Sequence, residues 1–432
     1  MKANDSEGLA PVLMRLRGSV QHYQWGGYEF IPGLLDLRNE ERKPFAELWI
    51  GTHPKSPASV EVSGETASLE DVIRRGPEEI LGPAVSTRFG GRLPYLLKVL
   101  DARKMLSIQA HPDKRQAEEG FARENAAGIS PQSAHRNYRD DNHKPEVHVA
   151  LTEFWMLQGF RPLEEIARTI MSHPELVPVM PDLDGRLSAA GSDPEARCDL
   201  LRDLYGIVMR MPQARVDDIL TRMISRLERE RPADKSGHDF WALRAARTFR
   251  LPGGHFDRGI FSIYLLNLLR LQPGQGTFQP PGVLHAYLEG TTVELMANSD
   301  NVLRGGLTPK HVEVEELMHT LSFESGIAQV LRGDRVSSTE TVYRTSAEEF
   351  ELSRIELSPG ESHSRRAGHG PDCMIVLEGS AWIRSEPGSL LLKRGGIVMA
   401  PDSLAYTLES EARRATFFRA SVPDRILSRT RQ

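Results

Sequence analysis

Three short segments of the chain carry side chains that could hold a metal ion. They read Ser107-Ile-Gln109-Ala-His111, His143-Lys144-Pro-Glu146 and Pro281-Gly-Val-Leu-His285. Side chains alternate between the two faces of an extended strand, so Ser107, Gln109 and His111 point the same way, as do Lys144 and Glu146. One amide oxygen, two imidazole nitrogens and one carboxylate suit a borderline divalent ion such as zinc, with a position left for substrate.

The elements that position these segments are predicted to be strands. Up to about residue 160 the chain shows short apolar or alternating runs separated by Gly and Pro, which favours strands over long helices. The predicted strands are 20–25, 46–51, 93–100, 106–110 and 146–151. Helices are predicted at 68–75, with Ser68 as the cap, and at 115–125.

The spacing of apolar residues changes after Pro162 and predicts a group of helices over residues 161–250. Apolar residues recur there at spacings of three and four, which indicates helices with one buried face. These residues are Leu163, Ile166, Ala167, Ile170 and Met171, then Leu200, Leu201, Leu204, Ile207 and Val208, then Val216, Ile219, Leu220, Met223, Ile224 and Leu227. A strand signal returns at 260–271, so the helices are interpreted as an insertion into a β domain.

The last hundred or so residues are predicted to form a second β-sandwich or barrel. Short strands at 350–357, 373–377, 381–384, 389–393 and 397–399 are separated by Gly-rich turns. The predicted organisation is therefore mainly β with an α-helical insertion. A discontinuous first β domain spans 1–160 and 251–325, the helical domain spans 161–250, and the second β domain spans 326–432.

Composition narrows the class of protein. The 432 residues suffice for two or three domains, and a net charge of -5 gives no reason to expect nucleic acid or an anionic membrane as partner. The two cysteines, Cys198 and Cys373, lie in unrelated contexts, which argues against a disulfide framework. The first eight residues lack the apolar core of a signal peptide, and no long uncharged run follows. We therefore expect a cytoplasmic protein; the sequence does not determine its oligomeric state, and a monomer is compatible with it.

Several motifs resemble a known family. The segment from Gly274 through Pro280-Pro-Gly282 to His285 resembles the second signature of the cupin barrels, although a Gly/Pro turn before a histidine is a weak signal alone. Other motifs resemble the type I mannose-6-phosphate isomerases, also called phosphomannose isomerases. They are Tyr23-Gln-Trp25-Gly, Ala46-Glu-Leu-Trp49-Ile-Gly51, Leu93-Pro-Tyr-Leu-Leu-Lys98, Gln109-Ala-His111-Pro112, Asn142-His-Lys-Pro-Glu146 and Asn298-Ser-Asp300-Asn-Val-Leu-Arg304-Gly-Gly-Leu-Thr-Pro-Lys310.

The resemblance implies a fold, a reaction and a set of site residues. It implies two cupin-like jelly-roll barrels and interconversion of mannose 6-phosphate and fructose 6-phosphate by proton transfer between C1 and C2 through a cis-enediol. Carried over by position, it makes Gln109, His111, Glu146 and His285 the ligands of one zinc ion per chain, in agreement with the strand faces. It also implies catalytic roles for Arg304, Lys144 and Asp300, and substrate contacts by Ser107, Lys98, Glu294 and Lys310.

Alternatives remain open at the level of sequence. A sugar-binding cupin without turnover, or a metal-dependent isomerase of another sugar phosphate, would use the same residue types. The general base is undecided among His143, Lys144, Asp300 and Glu294, because geometry decides before pKa.

Purely structural roles are the competing interpretation of single residues. A structural role is favoured for His22, His53, His148 and His311, and Trp25 and Trp49 are interpreted as core residues. The C-terminal barrel is predicted to hold no metal and to perform no chemistry, because His363 and His369 lie in a Ser/Arg/Gly-rich turn without either ligand motif.

Overall fold

The computed structural model describes residues 12–62, 65–368, 370–410 and 413–429. Up to residue 160 these form short strands interleaved with short helices. The strands are β1 (Met14–Arg17), β2 (Ser19–Gln21), β3 (Glu47–Gly51), β4 (Ser59–Val62), β5 (Glu65–Ser68), β6 (Tyr95–Ala102), β7 (Ile108–Ala110), β8 (Glu146–Ala150) and β9 (Phe154–Phe160). The helices are α1 (Phe30–Leu34), α2 (Leu69–Arg75), α3 (Pro77–Leu81), α4 (Pro83–Phe89) and α5 (Lys114–Ala126).

Helices occupy the next hundred residues, as their periodicity predicts. They are α6 (Leu163–Ser172), α7 (Leu183–Ala190), α8 (Pro194–Arg210), α9 (Gln213–Glu230), α10 (His238–Thr248) and α11 (Gly259–Leu265), with 3-10 turns at Val177–Val179 and Pro252–Gly254. All six apolar positions predicted on α9 are buried. The buried stripes of α6 and α8 are narrower than predicted, because Met171 is 47% and Ile207 40% exposed.

Strands return in the third quarter of the chain and make up nearly all of its end. They are β10 (Leu266–Leu271), β11 (Gly276–Gln279), β12 (His285–Ala297), β13 (Leu303–Gly306), β14 (Asp334–Arg335), β15 (Glu340–Tyr343), β16 (Glu351–Leu357), β17 (Ser362–Arg365), β18 (Asp372–Glu378), β19 (Ser380–Arg384), β20 (Ser389–Lys393), β21 (Ile397–Ala400), β22 (Tyr406–Glu409) and β23 (Ala415–Ser421). Two helices, α12 (Val314–Thr320) and α13 (Asp424–Arg429), accompany them.

Two local predictions were wrong. The run at 260–271 begins as helix α11 rather than as strand, and all seven α11 residues are buried, so no polar face marks the helical period. Ser68 precedes α2 without a side-chain cap hydrogen bond. Helix α5 does have a capping box, in which the Asp113 side chain accepts from the Gln116 N–H and the Gln116 side chain accepts from the Asp113 N–H.

The strands form three sheets. One has ten strands and follows the order β10-β9-β12-β6-β3-β2, with β7, β8, β11 and β13 joined to it. The second follows β14-β15-β16-β23-β18-β21-β1-β4-β5, and the third follows β17-β22-β19-β20. The second and third enclose an apolar core that includes Ile355, Val376, Leu392 and Phe417. The fold is therefore mainly β, with two cupin-like barrels and a helical portion.

Hydrogen bonding joins the two ends of the chain. β1 pairs with β21, and β4 pairs with β1, so segments 14–17 and 59–62 extend the C-terminal sheet. The helical residues share one apolar core with β9 and β12, through residues such as Leu157 and Leu288. The division into three domains at 160, 250 and 325 stays a prediction.

Candidate metal centre and adjoining cavity

Strand register brings distant site residues together. Gln109 in β7 lies opposite His285 in β12 and also opposite Arg304 in β13. Residues directly opposite each other in antiparallel strands place their side chains on the same face, within contact distance. Strands β7, β12 and β13 therefore bring Gln109 beside two predicted site residues that lie almost two hundred positions further along the chain.

His111, Glu146 and His285 form the only group of at least three His, Cys, Asp or Glu side chains among the described residues whose potential ligand atoms all lie within 4.8 Å of one another. The Glu146 carboxylate lies between the two rings, with Oε1 3.3 Å from His111 Nε2 and Oε2 3.3 Å from His285 Nε2. All three side chains are buried. The sequence-predicted segments thus converge as a His-Glu-His cluster.

The tautomer of both histidines is set by backbone carbonyls. His111 Nδ1 donates to Asn301 O at 2.6 Å, and His285 Nδ1 donates to Val283 O at 3.1 Å. Neither Nε2 has a hydrogen-bond partner within the described part of the chain, although both atoms are buried. Two oriented imidazole lone pairs beside a buried carboxylate are what a divalent metal requires, and the donor set fits zinc.

A cavity of about 200 Å³ adjoins this cluster. Its lining includes Lys98, Gln109, Lys144, Glu146, Glu294 and Asp300 from the predicted site, together with Tyr23, Glu47, Trp49, His53, Lys55 and Tyr287. Cation and carboxylate alternate around it. Lys98 Nζ lies 2.8 Å from Glu294 and 3.6 Å from Glu47, and Lys144 Nζ lies 3.1 Å from Glu146.

Tyr287 connects the metal cluster to the other cavity residues. Its hydroxyl donates to Glu294 Oε1 at 2.6 Å and lies 3.3 Å from Glu146 Oε2. On the far side of the cavity the Trp49 Nε1–H donates to Glu47 Oε2 at 2.7 Å. A buried polar network therefore runs from Trp49 to the metal cluster, so Trp49 is a cavity residue as well as a core residue.

The electrostatics of the site keep its groups in defined states. Burial and the Lys144 charge lower the pKa of His111 to about 4, so its ring is neutral at neutral pH. Burial would raise the pKa of Glu146, but Lys144 and the imidazoles hold it well below its usual range. Burial would lower the pKa of Lys98, yet Glu294 and Glu47 outweigh it and raise that pKa. The site thus presents ionised carboxylates, a protonated Lys98 and neutral His111.

The remaining predicted residues lie around this centre in different settings. The Asp300 carboxylate lies 2.8 Å from Lys55 Nζ and 3.4 Å from His53 Nε2. Burial alone would raise the pKa of Asp300, but these two neighbours outweigh burial and lower the pKa well below its usual range. Arg304 and Lys310 are not among the cavity-lining residues. Burial lowers the pKa of Arg304, and the positive charge of Arg139 lowers it further. Burial also lowers the pKa of Lys310, as do the charges of Arg304 and Arg139. Ser107 is half-buried, just before β7.

His143, His148 and His363 are not among the cavity-lining residues. His143 Nε2 is 2.6 Å from Glu349 Oε1, and His148 Nε2 is 2.6 Å from Thr277 Oγ1. His363 is buried beside Thr339 and Arg419. His369 lies outside the described residues. Sequence reasoning missed Glu47, Lys55 and Tyr287, although Glu47 lies within a quoted motif and Tyr287 follows His285 by two residues.

The chain is similar to known proteins over most of its length. The barrel and its buried His-Glu-His cluster define a class of cupin-like proteins able to hold one divalent metal. The family model "Phosphomannose isomerase type I, catalytic domain" matches residues 13–163. Mannose-6-phosphate isomerase of Salmonella typhimurium is 36% identical over 386 residues, which cover 89% of this chain and 93% of that protein. The Escherichia coli enzyme is 35% identical, covering 94% of this chain and 99% of its own length. The chain belongs to the type I mannose-6-phosphate isomerase family.

Solved structures agree with that membership. Mannose 6-phosphate isomerase from Salmonella typhimurium, bound to its substrate fructose 6-phosphate and to zinc, aligns with a TM-score of 0.81 at 33% identity. The alignment covers 94% of this chain and 98% of that one. A zinc-bound mannose 6-phosphate isomerase structure aligns with a TM-score of 0.80 over the same shares. No helix in the described ranges is both long enough and apolar enough to cross a membrane.

Proposed function

We propose that this protein interconverts mannose 6-phosphate and fructose 6-phosphate, using one zinc ion held by Gln109, His111, Glu146 and His285. The observation that carries the proposal is the pair of buried Nε2 atoms on either side of the Glu146 carboxylate, which have no hydrogen-bond partner among the described residues, in a chain of this family. Zinc, when bound, would act as a Lewis acid toward the sugar oxygens. Gln109 fits as the fourth ligand because it lies opposite His285 and lines the cavity.

Residues of the chain itself would bind the substrate, exclude water and stabilise the charge that develops. The cavity is small and lined by paired charges, so it can hold an open-chain sugar and exclude bulk water. Ser107 and Lys310 are the proposed phosphate contacts, and Lys98 and Glu294 the proposed contacts to the sugar. Arg304 supplies permanent positive charge toward oxygens that become negative during proton transfer.

Protonation states and contacts narrow the choice of the general base. His143 is not among the cavity-lining residues and donates to Glu349, and Lys144 is a cation paired with the ligand carboxylate Glu146. Glu294 and Asp300 are carboxylates that line the cavity, and the pKa of each is lowered, Glu294 by Lys98 against the effect of burial. We therefore propose one of these two as the base, with Lys144 and the other carboxylate orienting the substrate.

The test is a coupled spectrophotometric assay with mannose 6-phosphate, before and after treatment with a chelator. Turnover that a chelator abolishes and zinc restores is the expected result. Metal analysis should find about one zinc per chain in the parent and little in Glu146→Gln or His285→Ala. His255→Ala is the control, because His255 is exposed and contacts Asp217 far from the cluster in sequence.

Other outcomes would decide between the alternatives. Bound zinc without turnover on this substrate would indicate another sugar phosphate, to be sought among related aldose and ketose phosphates. Sugar binding without any turnover would indicate a non-catalytic cupin. Unchanged zinc in both ligand variants would contradict the ligand assignment.

A further inference from the structure

The loop between α5 and β8 carries Lys144 and leads directly into Glu146, the first residue of β8, and its residues 140–142 are tied to the loop before β13. Asp140 accepts hydrogen bonds from the Asp300 N–H at 2.7 Å and from the Ser299 hydroxyl at 2.8 Å. Asn142 donates to Asn298 O at 3.0 Å. These contacts fix residues 140–142 relative to the Asp300 side of the cavity. The backbone is held again at Pro145, whose carbonyl accepts from the Ala297 N–H at 3.2 Å, so His143 and Lys144 lie between two anchored points.

His143 contacts the other end of the chain. Its Nε2–H donates to Glu349 Oε1 at 2.6 Å, and Glu349 lies just before β16 of the C-terminal sheet. The Glu349 side chain is 11% exposed, and its second oxygen accepts from the Glu348 N–H at 3.1 Å. Burial would raise the pKa of Glu349, but its hydrogen bond with His143 keeps that pKa below the ordinary value. A buried, oriented carboxylate thus holds the residue adjacent to Lys144.

We propose that Glu349 is a positioning residue of the active site, which holds His143 and thereby fixes Lys144 beside Glu146 in the cavity. The inference rests on the function proposed above. Lys144 follows His143 directly, and its Nζ lies 3.1 Å from Glu146 Oε1. Because a misplacement of about 1 Å can cost on the order of a hundredfold in rate, a tether one residue away affects catalysis without touching substrate. The C-terminal barrel then contributes to turnover by position.

The test compares three variants of neighbouring glutamates. Glu349→Ala should lower kcat about tenfold, with KM within about twofold and one zinc per chain retained. Glu349→Gln should recover most of the activity, because its amide oxygen can still accept the Nε2–H of His143. Glu348→Ala is the matched control, since Glu348 makes an ion pair with Arg88 at the surface and should leave kcat unchanged. Thermal unfolding of each variant separates loss of fold from loss of position.

A double-mutant cycle with His143→Ala tests the route. Both single variants and the double variant should lose about the same factor in kcat, because each breaks the same contact. Parent-like kcat in folded Glu349→Ala would overturn the inference. So would a loss in His143→Ala far larger than in Glu349→Ala, since His143 would then act on substrate itself. Absence of turnover in the parent would contradict the proposed function instead, so the two failures are distinct.

Discussion

Individual side chains in the site are stabilised mainly by one another's charge. Lys98 and Glu294 are opposite residues of β6 and β12, and both are buried. Such a pair is costly to break, because removing one partner leaves a buried charge without compensation. Catalytic effects of single substitutions here must therefore be separated from effects on folding. Arg304 offers a simpler test, because its guanidinium makes no hydrogen bond or ion pair with the described residues.

Arg304→Ala is expected to lower kcat by roughly a hundredfold to a thousandfold while KM stays nearly constant. An interaction that forms mainly in the transition state affects turnover and not ground-state binding. Burial and the charge of Arg139 lower the pKa of Arg304, which indicates a partly desolvated cation that a negatively charged ligand would stabilise. Steady-state kinetics with zinc content measured in parallel would check this. A defect confined to KM would make Arg304 a phosphate clamp, and normal kinetics would make it structural.

Asp101 should make stability depend on pH. Burial raises its pKa to about 6, against a hydrogen bond from Thr291 that lowers it. A carboxyl with a raised folded pKa contributes full stability below its unfolded value near 3.8, and loses it as the pH rises through about 6. Relative to the parent, Asp101→Asn is therefore expected to gain up to about 3 kcal/mol of stability between pH 4 and pH 8, because the two pKa values differ by about two units at about 1.4 kcal/mol each. Urea unfolding at several pH values would measure it, and a difference independent of pH would contradict this origin.

The metal cluster could be predicted from sequence because each member lies inside a short motif whose strand alternation fixes its face. Tyr287 shares that alternation, since it follows His285 by two residues, and the signal could have been used. Lys55 and His53 could not be found in this way. They reach Asp300 only through a fold that brings residues 53–55 beside residue 300, and no local pattern encodes that approach.

Strand β13 is the element that sets the position of Arg304, and its close packing depends on glycine. Gly306 has φ +119, and a Cβ there would lie 2.6 Å from the Gly259 Cα and 2.9 Å from Asp257 Oδ1. Asp257 also accepts from the N–H groups of Gly259 at 2.7 Å and Thr308 at 3.0 Å. The N-terminus of α11 and the end of β13 are thus packed backbone to backbone, with one carboxylate joining them.

Gly306→Ala is expected to destabilise the protein by about 1–3 kcal/mol and to lower kcat in the fraction that remains folded. The added methyl group must displace either β13 or α11, and a displaced β13 carries Arg304 away from its place. Gly185→Ala is the control, because Gly185 lies in α7 with no atom within 4 Å of an added Cβ. That change should raise stability by about 0.5–1 kcal/mol through helix propensity and leave kcat unaffected. Thermal unfolding and kinetics on both variants are the measurements, and parent-like values for Gly306→Ala would contradict the packing argument.

Element types followed from periodicity wherever one face of an element meets solvent. Helix α9 has buried residues at spacings of three and four between exposed ones, and this period was sufficient to predict a helix. Helix α11 is buried on all sides, so apart from Ser262 and the Tyr264 hydroxyl its residues are apolar and give no helical period. Its conformation depends on neighbouring β13 and on the helices that cover it, which is information outside the segment itself.

At the scale of the whole molecule, the two barrels are connected by shared hydrogen bonding. Strand β1, at the start of the chain, lies between β21 and β4, so the C-terminal sheet includes N-terminal residues. The turns in the sequence predicted the second barrel, but no pattern predicted that β1 joins its sheet. Pairing between segments nearly four hundred residues apart has no local signature. The C-terminal sheet therefore contains strands from the N-terminal part of the chain, the part that also supplies His111 and Glu146.

The interior of the C-terminal barrel should contribute to stability and not to chemistry. His363 is buried there, with Nδ1 3.0 Å from Thr339 Oγ1 and Nε2 3.3 Å from Arg419 Nη1. Burial and then the Arg419 charge lower the pKa of His363 to about 4, so it is a neutral hydrogen-bonding residue at neutral pH. Its replacement removes these contacts and leaves a cavity beside a buried guanidinium, which makes a loss of stability the expected consequence.

His363→Ala is accordingly expected to cost about 1–3 kcal/mol in the free energy of unfolding and to leave kcat and zinc content within about twofold of the parent. Glu349→Ala should differ by lowering kcat about tenfold in addition to any loss of stability, although both residues belong to the same C-terminal part of the chain. Denaturant unfolding and steady-state kinetics on the two variants, measured at a temperature where both are folded, would separate these effects. A large fall in kcat for folded His363→Ala would show that the barrel interior acts on turnover, and the active site would then extend beyond the cavity described above.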